Sequence, residues 1–200
     1  MLKRSAICCA IAIVLVNLGF AQSSADKEKA LKYLESTKQG VIDATKGLSD
    51  AQWNFKAGPD RWSVAQVMEH IAAAEDMFNG NVTQNVMKAP ARPAAEDAPS
   101  IDAMVLAMIP DRSHKAQAPP PLVPTNRFGS PEAALKHFLE SRQQTEDFVK
   151  SHNDLRDHAT DSPLGKKLDA YEWVLFEAAH CERHTKQMLE VKADPNFPKM

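Results

Sequence analysis

A disulfide framework is out of reach for this chain. Of its three cysteines, Cys8 and Cys9 stand side by side near the amino end and only Cys181 lies deep in the sequence, so stability has to come from packing or from a metal. A strong charge of one sign is missing too. The 24 Lys and Arg face 26 Asp and Glu, for a formal net charge of −2, and nothing in that balance favours nucleic acid as a partner. No stretch alternates apolar and polar residues as a half-buried strand does. The one long apolar run, Ala6 to Leu18, falls short of the roughly 20 residues that a membrane-spanning helix needs.

That run follows Lys3 and Arg4 and ends in Gly19-Phe20-Ala21, which is the pattern of a secretory leader: basic start, apolar middle, small residues at the cleavage point. Residues 1–21 are therefore read as a signal peptide and 22–200 as one mature domain, exported to the periplasm or secreted, with no membrane attachment after cleavage. Cys8 and Cys9 leave with the leader. The formal charge moves from −2 to −4, since Lys3 and Arg4 go and no acid does. A chain of this length can bury a core without covalent staples.

What the sequence does contain is helical periodicity, in four long segments. The first is predicted from about Ala25 to Leu48, on Leu31, Leu34, Val41 and Leu48. Residues 49–62, with Gly58-Pro59-Asp60, read as a connection. The second helix opens at Ser63, which can cap it while Gln66 reaches back and Trp62 and Val67 staple the entry. Its stripe is Val64, Val67, Ile71, Ala74, Phe78 and Val82, and Pro90 stops it. A proline-rich connection from Pro90 to Gly129, holding one short helix over Ser100 to Ile109, is unusually long for a compact domain and reads as a crossover. Ser130 and Pro131 begin the third helix, which runs to about Lys150. The fourth is capped by Asp169 with Glu172, stapled by Leu168 and Trp173, and runs to about Lys192. The predicted fold is all-α: a four-helix bundle in up-down-down-up order, the long crossover letting helix three run parallel to helix two.

Chemistry concentrates in His180-Cys181-Glu182-Arg183-His184. Residues four apart on a helix share a face, and at 100° per residue His180 and His184 fall with Trp173 and Val191 on the side facing the core. Two inward imidazoles need a donor or a cation. Spacing alone does not choose between metal ligands and hydrogen-bonded core histidines. Cys181 stands where a zincin protease has its glutamate, which excludes that class. His70 lies at the edge of the second helix's stripe, where a side chain can reach a neighbouring helix.

The stretch Arg61-Trp62-Ser63-Val64-Ala65-Gln66-Val67-Met68-Glu69-His70-Ile71 resembles the second-helix motif of the DinB/YfiT-like superfamily. Leu168-Asp169-Ala170-Tyr171-Glu172-Trp173 and Ala179-His180-Cys181-Glu182-Arg183-His184-Thr185-Lys186-Gln187 are similar to its last helix, and Ile109-Pro110-Asp111-Arg112 and the Pro124-Thr125 to Pro131 segment resemble one branch of it. The resemblance implies a four-helix bundle holding one divalent metal (nickel, zinc or iron) through His70, His180 and His184. Three neutral imidazoles suit such ions and leave positions open.

Other residues carry weaker signals. Glu177 lies one turn before His180 and is the candidate catalytic residue, positioned to orient a ligand or take a proton, with an interhelical ion pair as its alternative. Glu69 is placed on the solvent side of its helix, and Glu75 is read as a capping or interhelical partner. Cys181 is read as a small buried residue. His114, His137, His152 and His158 show no ligand spacing and read as surface residues, while Met104, Leu106 and Met108 read as apolar cover for a bundle end. Two functions follow: a metal-dependent hydrolase acting on a small molecule, with a thiol-dependent S-transferase of the same superfamily as its variant, or a non-catalytic protein stabilised by its metal. The substrate and the oligomeric state, a homodimer included, are left open.

Overall fold

The computed structural model describes residues 4–93 and 97–199, with side chains from residue 23 onward. Among the described residues, six α-helices and one small ribbon follow in the order α1 (Arg4–Thr45), α2 (Asp50–Asn54), α3 (Val64–Gln84), α4 (Ala98–Met108), α5 (Pro131–Ser151), β1 (Ala159–Asp161), β2 (Lys167–Asp169) and α6 (Ala170–Lys192). The first helix starts well before Ala25, where periodicity had placed its beginning. No proline separates the apolar run from the amphipathic stretch, so the backbone stays helical through both. Residues 1–3 of the expected leader, and the side chains of residues 4–22, lie outside the described residues.

The bundle is built from α1, α3, α5 and α6, and side-chain pairs give its directions. Glu75 meets Arg142 and Asn79 meets Thr145, so α3 and α5 run parallel. His70 lies against His184, and Phe78 against Phe176 and Trp173, so α3 and α6 run antiparallel. Thr37 meets Cys181, and Lys192 reaches Ala44, so α1 and α6 are parallel. Lys38 pairs with Glu146 while Lys27 reaches the carbonyl of Lys150, so α1 and α5 are antiparallel. The order is up-down-down-up, as predicted.

Each predicted cap forms. Gln66 N donates to Ser63 Oγ at 3.2 Å and Ser63 N to Gln66 Oε1 at 3.1 Å. Asp169 and Glu172 exchange the same pair of bonds at 2.8 Å each. Ser130 accepts from Ala133 N. A third box, Ser49 with Gln52, starts α2 inside what periodicity had read as a plain connection. The ribbon is a second departure from the all-helical reading. β1 and β2 pair antiparallel through three residues each, too short for alternation to show. Gly165, at φ +69°, makes the turn between them. Because β2 runs into the α6 cap, the ribbon fixes where that helix begins.

Leu34, Met68, Ile71, Phe138, Leu168 and Met188 are fully enclosed, each contributing roughly 1.5–3 kcal/mol by leaving water. The crossover spreads over α3 and α6. Of its expected apolar cover, Met104 packs on the core, but Leu106 and Met108 remain 43% and 56% exposed.

Candidate metal centre

Three imidazoles from two helices meet at one point. His70 Nε2 lies 3.2 Å from His180 Nε2 and 3.1 Å from His184 Nε2, and the three possible ligand atoms all stand within 4.8 Å of one another. The antiparallel packing of α3 on α6 brings them together, and the four-residue spacing stacks the α6 pair on one face. With metal–nitrogen bonds of about 2.0–2.1 Å, nitrogens around one ion stand roughly 3.0–3.4 Å apart. The spacing fits.

Proton positions sharpen the point. His70 Nδ1 is 2.8 Å from the carbonyl of Leu122. A carbonyl only accepts, so Nδ1 carries the proton and Nε2 turns a bare lone pair toward the other two rings. A cluster of lone pairs asks for a cation. Burial, reinforced by the neighbouring imidazoles, holds His180 well below the ordinary histidine value. Burial and His70 bring His184 down to about 3, and burial lowers His70 despite the Leu122 contact. All three are neutral at pH 7, the form that binds metal. His70 is buried and His180 half-buried. Trp62 packs at 5.0 Å from the His70 ring and Phe78 at 5.3 Å from that of His180, forming apolar walls.

The structure puts Glu177 elsewhere. Its carboxyl is fully buried with Arg142 Nε at 3.6 Å, in a group that includes Glu75 and Thr145. Neither oxygen has a hydrogen-bond partner among the described residues. Burial first, then the Glu75 charge, push its pKa well up. It belongs to the ionic centre of the bundle, the interhelical alternative, and it does not join the three imidazoles. Arg142 itself binds Glu75 at 2.6 and 2.8 Å, Leu34 O at 2.8 Å and Thr37 Oγ at 2.8 Å, tying α1, α3 and α5 together. Glu75 is thus the interhelical partner expected.

Glu69 is not on a solvent face. It is buried, and it accepts backbone N–H groups from Thr125, Asn126 and Arg127 at 2.7, 2.8 and 3.1 Å, plus the Arg127 guanidinium at 3.2 Å. These bonds hold its pKa below the usual carboxylate value against the cost of burial. Periodicity within one helix could not show that the crossover would lie across it. The same loop supplies the Leu122 carbonyl, so Glu69 anchors the segment that orients His70.

Cys181 is enclosed, its thiol contacting Thr37 O at 3.6 Å and pushed up to about 12 by burial, which leaves it inert. Among the remaining histidines, His114 is exposed, His137 bonds Asp76, His152 reaches Phe148 O and His158 reaches Ala89 O; none joins the cluster. Sequence reasoning missed Gln187, whose Oε1 is 2.8 Å from His184 Nδ1. Its place one turn after a ligand on the same helix was a usable signal.

A family model described as the DinB superfamily matches residues 33–188, a stretch that includes all three histidines. YuaE of Bacillus subtilis (strain 168) is 26% identical over 148 residues, which is 74% of this chain and 87% of that protein. The solved structure of YfiT from Bacillus subtilis, described as a probable metal-dependent hydrolase with an unusual four-helix bundle topology, shares the fold at a TM-score of 0.53. It is 16% identical and covers 86% of this chain and 89% of its own.

Proposed function

Since the chain belongs to the DinB superfamily, we propose that it is a metal-dependent hydrolase acting on a small molecule, with one divalent cation, nickel, zinc or iron, held by His70, His180 and His184. The carrying observation is the convergence of three Nε2 atoms at ligand spacing. The description of YfiT as a probable metal-dependent hydrolase supports the reaction class. A divalent ion with open positions supplies a Lewis acid that activates water and polarises an electrophile. The chain's own residues do the rest. His70 is fixed by the Leu122 carbonyl, Trp62 and Phe78 wall one side, and half-buried His180 marks the side from which substrate approaches.

Export belongs to the same proposal and rests on the Lys3 to Ala21 pattern alone; the mass of the protein secreted by an expressing cell reads whether cleavage precedes Gln22. For the metal, purified protein is reloaded with nickel, zinc and iron in turn and analysed for bound metal, then assayed on ester, amide and thiol-conjugation substrates. Stoichiometric metal lost in the H180A/H184A double variant, together with metal-dependent hydrolysis, is the expected result. No retained metal in the wild type would sink the proposal. Turnover that needs a thiol would move the chemistry to the transferase variant.

A further inference from the structure

We infer that Gln187 is a positioning residue that sets the tautomer of His184, and that Arg112 of the crossover sets Gln187. The inference deepens the metal reading of the same site and rests on that reading for its consequence, though its geometry stands on its own.

The chain of contacts begins at Glu190, whose two carboxylate oxygens bind Arg112 Nε at 2.6 Å and Nη2 at 2.7 Å. This bidentate grip fixes the plane of the guanidinium and leaves its Nη1 pointing at Gln187 Oε1, 3.4 Å away. A guanidinium has donors only. The Gln187 amide therefore turns its oxygen, not its NH2, toward Arg112. The same oxygen lies 2.8 Å from His184 Nδ1. An amide oxygen only accepts, so the His184 proton has to sit on Nδ1, which frees Nε2 toward His70 and His180.

Without that acceptor an isolated neutral imidazole in water favours its proton on Nε2, the atom the metal needs bare. Leu122 O performs the same service for His70 from the other arm of the crossover. The crossover thus sets the His70 tautomer directly, through Leu122 O, and the His184 tautomer indirectly, through the Gln187 amide that Arg112 orients. Arg112 follows α4 closely, and Arg183 holds the segment on both sides of it through the carbonyls of Ile109, Asp111 and His114. Partners of this kind typically alter metal affinity 10–100-fold when removed.

The test uses the full chain, metal-free, with 15N-labelled histidine, and reads the His184 ring nitrogens by long-range 1H–15N correlation, the H184A spectrum giving the assignment. Wild type should show a protonated Nδ1. Gln187→Leu should shift His184 toward a protonated Nε2, and Gln187→Glu, which keeps the acceptor, should restore Nδ1–H. Zinc affinity, measured by chelator competition, should fall 10–100-fold in Gln187→Leu and recover in Gln187→Glu. Arg112→Ala, which frees the amide to turn over, should give an intermediate loss. Gln187 is only partly buried, so these variants leave the core intact, and a merely structural role would lower the melting point without moving the ring nitrogens. An Nε2–H tautomer in the wild type, or an unchanged spectrum in Gln187→Leu, overturns the inference. A tautomer shift in a protein that retains none of nickel, zinc and iron would uphold the relay and sink the metal reading instead.

Discussion

Replacing Glu177 by Gln separates two accounts of a fully buried carboxyl in the bundle. If its environment holds the group protonated, Gln is a neutral-for-neutral exchange of nearly equal shape. At pH 5 the variant should lie within about 1 kcal/mol of wild type, the scale on which a single polar group's hydrogen bonding counts. The pH dependence carries the sharper test. Glu177 has a folded pKa raised well above its ordinary 4.5, so folding favours the protonated form. That contribution is complete below the unfolded value and drains away as pH rises toward the folded one, at up to about 1.4 kcal/mol per pH unit. No water fits the space beside it, lined by Asn79, Val82, Thr145, Phe148 and Val174, so solvent offers the charge no relief. Glu177→Gln removes this term. Urea denaturation of metal-free protein from pH 5 to pH 8 should show wild type losing stability relative to the variant, with metal affinity unchanged between them. Parallel profiles would refute the reasoning. So would a variant weakened by more than about 2 kcal/mol at every pH, which would mean an ionised Glu177 paired with Arg142, since breaking a buried pair costs on that scale or more.

Removing the cation from the same centre should be far more damaging. Arg142→Leu leaves Glu75 buried without its partner and should cost about 3–5 kcal/mol in denaturant midpoint analysis, with much of it regained when Glu75→Leu is added. Glu69→Ala orphans three backbone donors of the 125–127 segment and should cost about 1–3 kcal/mol; hydrogen exchange of those amides should speed up well before the helices respond. Metal at a hundred times its dissociation constant should stabilise the protein by about 2.7 kcal/mol, or on the order of 5–10 °C in melting temperature for a chain of this size. Chelation should remove that gain, and His70→Ala should show none to remove.

The structure also explains why α6 begins where it does. Its first turn carries Asp169 and Glu172, met by Arg92 and by Arg156, which also binds Asp26 and Asp102. Burial and the Asp169 charge raise Glu172 to about 7, so this cluster also loses stability as pH rises from about 4.5 toward 7, in the same direction as Glu177. The Glu177→Gln comparison cancels it, because both proteins carry it.

Local chemistry was readable without coordinates. A capping serine or aspartate with its partner three residues on is a short-range hydrogen-bond pattern, so Ser63 and Asp169 marked their helices to the residue, and the pairing of His180 with His184 follows from helical geometry alone. The crossover's length permitted the parallel course of α3 and α5. Where the crossover lies was decided in three dimensions. Glu69 reads as solvent-facing on its own helix and is covered by residues 125–127; Glu177 reads as a neighbour of His180 and is drawn to Arg142. A three-residue ribbon leaves no periodic trace. Burial and charge pairing depend on which surfaces meet across 50 or 100 residues of chain, and a helix's own pattern records only the side it presents, not what arrives to cover it.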